Sequence, residues 1–134
     1  MRGRLWAAAV CAVVVVGFTA MAAEKPSAEY QKAMKDLGAA NASLRINATA
    51  KDYVAVEKDA ATLKAAFTVA DTFWTAKKAD DAIKMSKDGL KASIDLDTAA
   101  KAKSDEGIAA AQKIVGGTCA ACHAAHRETI YEIK

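Results

Sequence analysis

Four stretches of this chain repeat apolar side chains at alternating spacings of three and four residues, the period of one α-helical face. The first is read from Ser27, behind the only proline, Pro26, to about Ile46, with Tyr30, Met34, Leu37, Asn41 and Leu44 facing inward. The second begins near Thr49, which could cap with Asp52 three residues on, and carries Val56, Ala60, Leu63, Phe67, Ala70 and Trp74. The third starts at Asp80 or Asp81 and carries Ile83, Ser86, Leu90, Ile94 and Asp97, a weaker face interrupted by Gly89. The fourth follows Ser104, with Asp105 and Glu106 at the positive end of the helix dipole. Its stripe is Ile108, Ala111, Val115, Cys119, Cys122, His126 and Ile130. No stretch reads as a strand, and the connections are short and polar. The pattern predicts an all-α chain folded as an antiparallel four-helix bundle.

The first two dozen residues follow a different rule. Arg2 and Arg4 precede an apolar run from Leu5 to Phe18, and Ala20-Met21-Ala22 supplies a small-x-small cleavage site. That run is shorter than the ~20 residues of a membrane span. Residues 1–22 are therefore read as a cleaved signal peptide, and Arg2-Gly3-Arg4 is not a twin-arginine pair, so export is of the Sec type and the destination is the periplasm. Cys11 and Met21 leave with this segment. Residues 23–134 then form a single domain, undivided by repeats or linkers. Losing two arginines and no acid takes the formal charge from +3 to about +1. A chain so close to neutral is a poor match for nucleic acid or an anionic membrane surface, and no stable membrane insertion is expected after cleavage.

The chemistry is concentrated in Cys119-Ala120-Ala121-Cys122-His123, a Cys-x-x-Cys-His run that reads as a covalent c-type haem attachment site. Two thiols add across the two vinyl groups on one porphyrin edge, and the adjacent imidazole reaches the iron. On a helix the three side chains sit at i, i+3 and i+4, on one face. Neutral imidazole is a good iron ligand. A bare pair of thiols could instead close to a disulfide in an oxidising compartment. The following histidine and the lack of a strand-rich pattern favour haem. Zinc held by Cys119, Cys122, His123 and His126 is disfavoured, because four ligands on one short helix cannot surround a tetrahedral ion. Gly116-Gly117, just before the motif, marks either a local kink or a place where a porphyrin lies flat against the backbone.

A haem motif near the C-terminus of a four-helix chain resembles the class II cytochromes c, the cytochrome c-prime family. The stretch Gly117-Thr118-Cys119-Ala120-Ala121-Cys122-His123-Ala124-Ala125-His126-Arg127 fits the family's C-terminal pattern, including the arginine four residues after the histidine. The resemblance covers residues 23–134 in length, helix count and motif position. It implies haem c, one group, packed in the bundle core, with His123 as proximal ligand. Arg127 would lie beside His123 and tune the haem, unless it is simply a solvated arginine. On the opposite iron face the family uses the first helix, and Met34 stands where a ligating methionine sits in its low-spin branch. The alternative is that Met34 is a flexible core filler. Met85 is a poor competitor, placed between Ile83 and Ser86. Where high-spin members carry a basic residue near a propionate, this chain has Tyr30, which leaves that anchor unassigned.

The remaining residues support these readings. His126 is one turn beyond His123 and either meets a propionate or faces solvent. Phe67, Phe73 and Trp74 are expected to bury against the bundle and the porphyrin. Lys32, Lys35, Lys51, Lys58 and Lys64 form a mostly solvated face. The expected function is one-electron transfer through haem with His123 and Met34 as axial ligands, between periplasmic redox proteins. The alternative is a high-spin protein binding nitric oxide or carbon monoxide at an open iron face. A peroxidase-like enzyme is disfavoured, since no distal histidine or arginine is evident. A homodimer through the first two helices is permitted by the small residues Ala39, Ala40, Ala42 and Ala48.

Overall fold

The computed structural model describes residues 25–131, with side chains through Arg127. The expected signal peptide, and with it Cys11 and Met21, lies outside the described residues, as does the Ile130 side chain. The described residues form four helices: α1 (Ala28–Ala50), α2 (Tyr53–Lys77), α3 (Asp80–Lys101) and α4 (Asp105–Tyr131). Sequential neighbours pack closely, while α1 and α4 meet much more loosely to complete the bundle. Connections this short make each helix run back along the one before it. No described helix is long and apolar enough to cross a membrane.

One turn is used three times. Lys51, Lys78 and Lys103 adopt left-handed backbone, with φ of 54°, 56° and 52°. Their N–H groups donate to the carbonyls of Ala48, Thr75 and Ala100, and the N–H groups one residue later donate to Asn47, Trp74 and Ala99. These bonds satisfy the last carbonyls of each helix. Ser27, Asp52 and Ser104 then cap the N-termini of α1, α2 and α4, accepting from the N–H groups of Tyr30, Ala55 and Gly107. Ala79, at the same place before α3, has no side chain to do so. Two expected boundaries are corrected here. α1 continues past Ile46 to Ala50, and Thr49 lies inside it, its hydroxyl donating to Arg45 O at 2.8 Å. Asp52, not Thr49, is the cap of α2.

The α2 stripe is buried as expected from Val56 through Trp74. Leu44, Val56, Leu63, Leu96 and Val115 are completely enclosed and form the centre of the core. The α3 face is only partly the expected one. Ser86 is buried and Ile83 and Leu90 are half-buried against the core, but Ile94 is 45 % exposed, and Ala82, Gly89, Ser93, Leu96 and Ala100 fill the rest of the inward face. Large side chains on α2 need small ones opposite, and a Cβ at Gly89 would overlap the Phe67 ring. Gly89 is therefore a socket within the buried stripe, not an interruption of it. The small-residue patch on α1 also changes: Ala40 is buried in this chain's own core and Ala48 packs against it, leaving only Ala39 and Ala42 exposed.

Candidate functional site

Where α1 and α4 stand apart, a cavity of about 190 Å³ enters the bundle. All four helices contribute to it. α4 supplies Thr118, Cys119, Cys122 and His123, and α1 supplies Tyr30, Met34, Leu37, Gly38 and Asn41. Phe67, Ala70 and Trp74 of α2 and Met85 and Ser86 of α3 complete the wall. The helical spacing of the motif turns both cysteines and His123 toward one space, and Met34 meets that space from another helix. On α1 the fully buried positions are Tyr30, Ala33, Leu37, Ala40 and Leu44. Met34 and Asn41, expected on the same stripe, are only half-buried because they border the cavity.

The two thiols are free and half-buried. Burial pushes the thiol of Cys119 above its ordinary range. Burial does the same to Cys122, with the neighbouring charges of Cys119 and Asp81 adding to it. Both are thus held as neutral S–H groups in neutral solution. His123 is exposed on its outer side while bordering the cavity. A smaller adjoining cleft is lined by Tyr30, Met34, Trp74, Cys122, His123, His126 and the exposed Arg127. The structure therefore brings Arg127, His123 and Met34 to one end of the bundle. α4 continues as helix through Gly116 and Gly117, and a Cβ at either would meet nothing within 4 Å.

His126 does not simply face solvent. Its Nε2 lies 2.8 Å from Asp81 Oδ2 at the start of α3, and its ring packs on Trp74 with centroids 4.7 Å apart. The hydrogen bond from His126 holds the Asp81 carboxyl below its ordinary range. Trp74 in turn meets Phe73 edge-on at 5.0 Å, and Phe73 stacks on Tyr30 at 4.0 Å. Tyr30 and Trp74 of this aromatic cluster border the cavity, and the cluster ties α1, α2 and α4 together. Among the described residues no three His, Cys, Asp or Glu side chains are grouped to hold a metal ion.

Met85 and Asn41 are among the wall residues that sequence reasoning did not assign to the site. The signal for Met85 was present in the small residues of α3: once Ala82, Ser86 and Gly89 are taken as the inward face, Met85 borders that face. No family model, curated protein or solved structure matches this chain. The site is accordingly defined by its own residues: an apolar cavity between loosely joined helices, bordered by two thiols, one imidazole and two thioethers.

Proposed function

We propose that the chain is a periplasmic c-type cytochrome that carries single electrons between redox proteins. The observation that carries this reading is that Cys119, Cys122, His123 and Met34 border one apolar cavity from two helices. The donor set fits haem: two thiols for the vinyl groups, an imidazole, and a soft thioether. Its enclosed part is smaller than the roughly 300–1,000 Å³ of ordinary ligand pockets, so seating a macrocycle requires α1 and α4 to part further. That pair is the one the bundle joins least tightly.

Bound haem would supply a one-electron ferric–ferrous couple. Cys119 and Cys122 would each form one S–C bond, the thiol proton passing to the other vinyl carbon, so no external oxidant is consumed. His123 would hold the iron from the α4 side and Met34 from the α1 side, a pair that raises the potential relative to harder ligands. Tyr30, Phe73 and Trp74 would keep water from the iron, and Arg127 would add positive charge beside His123. Gly38 borders the cavity with open space above it, which favours the second reading: a small gas could enter beside Met34 if the thioether lets go.

Optical spectra of protein matured with haem separate the readings. Low-spin ferrous bands indifferent to carbon monoxide are expected, and Met34→Ala should convert them to a high-spin, gas-responsive spectrum. If low-spin bands survive Met34→Ala and vanish in Met85→Ala, the ligand is Met85. A high-spin wild type identifies the gas binder.

A further inference from the structure

The cavity reaches the surface at Gly38 of α1 and His123 of α4, the exposed residues of its wall. Four exposed cations flank that mouth. Lys35 lies three residues before Gly38 and Arg45 seven after it, so all three share one side of α1. Arg127 lies one turn beyond His123 on α4, and Lys113 extends the same flank through Gly116. Among the described residues none of the four is in an ion pair. The acids that could offset them are engaged or missing. Asp36, the only acid of α1 after Glu29, is held by Lys32, and α4 has no acid between Glu106 and Glu128. Asp81, at the start of α3, is held by His126. On α3 the case is the opposite, since exposed Lys84, Lys91 and Lys101 each pair with an aspartate of their own helix. Between the cations of the mouth the surface is low and apolar, with Ala42, Ala120 and Ala124 exposed.

On a chain so near neutrality, unpaired positive charge gathered at one face gives that face a field of its own. We infer that the α1–α4 face is the docking surface for a protein partner that presents an acidic patch, and that docking brings the partner's redox centre to the cavity mouth. This assignment rests on the electron-transfer reading above. Complementary charge steers the encounter and fixes its orientation, while small side chains at the centre let the partner's surface come close to the mouth. Even with both haem propionates counted against it, the face keeps a positive excess.

The face is mapped by NMR of the ¹⁵N-labelled full chain at low ionic strength. The probes are hexacyanochromate(III), a paramagnetic trianion, and poly-L-glutamate, a polypeptide bearing the carboxylates a partner would present. Both should mark amides around Lys35, Gly38, Arg45 and His123 several-fold more strongly than those around Lys84 and Lys91. In Lys35→Glu/Arg45→Glu the α1 part of the map should vanish. An even map, one centred on α3, or no response to poly-L-glutamate overturns the assignment. In the haem-loaded ferrous protein, oxidation by hexacyanoferrate(III) should slow several-fold between about 10 and 200 mM salt, and oxidation by tris(phenanthroline)cobalt(III) should quicken. The double variant should flatten the first dependence with the low-spin bands unchanged. Equal salt dependence for the two oxidants overturns docking at the mouth. Phosphatidylglycerol vesicles should leave the chain unbound; binding to them that the double variant abolishes makes the face a lipid surface and overturns the protein partner. A chain that acquires no haem overturns the functional reading, while a map centred on the mouth still establishes the anion-docking face.

Discussion

Burial keeps the Cys119 and Cys122 thiols neutral, and their reactivity should show it. In haem-free protein at pH 8, iodoacetamide should modify both several-fold more slowly in the native state than in urea. Equal rates would mean the thiols are not enclosed by the bundle. The His126–Asp81 pair makes a second prediction at this scale. Asp81 titrates below its ordinary 3.8 because His126 donates to it, so its contribution to stability is complete above that value. The contribution fades as pH falls through the depressed folded value. The difference in urea midpoint between wild type and Asp81→Asn should therefore be constant near neutrality and shrink in acid below about pH 4. A difference that grows in acid would contradict the pairing.

The glycines of α3 and α4 behave oppositely as parts of their helices. Gly89→Ala gains helix propensity but forces a methyl into the buried Phe67 ring, so a net loss of about 1–3 kcal/mol is expected in chemical denaturation. Gly116→Ala and Gly117→Ala meet open space, and each should stabilise haem-free protein by about 0.5–1 kcal/mol. If the same two variants impair haem incorporation, the glycines serve the porphyrin and not the helix. At the turns, Lys78→Gly relieves left-handed backbone and Ala79→Asp supplies the missing cap of α3. Each should add about 1 kcal/mol in thermal or urea unfolding. The register of α3 was only partly legible because its inward face, Leu96 apart, is built from Ala, Ser and Gly. Such residues carry little hydrophobic signal, while the more apolar Ile94 is left on the surface. The α2 stripe was legible because its inward residues are large.

At the scale of the molecule, helix number, order and the cap at Ser104 could be read directly from spacing and punctuation. The convergence of Cys119, Cys122, His123 and Met34 on one cavity also follows from those spacings once the bundle closes. What spacing does not encode is which helix pair stays loosely joined. That depends on side-chain volumes across all four helices, and it is why the place of Asn41 on the cavity wall and the Asp81 partner of His126 emerge only in three dimensions. The loose α1–α4 seam is the property that would let a planar group enter a bundle otherwise closed by Leu44, Leu63 and Leu96, as the proposed function requires. Intact-mass spectrometry of the protein, expressed in a bacterium with active cytochrome maturation, tests this account most directly. The polypeptide should be heavier by one haem that resists acid–acetone extraction, and the added mass should disappear in Cys119→Ala/Cys122→Ala. A bare polypeptide, made beside a control cytochrome that does acquire haem, would contradict it.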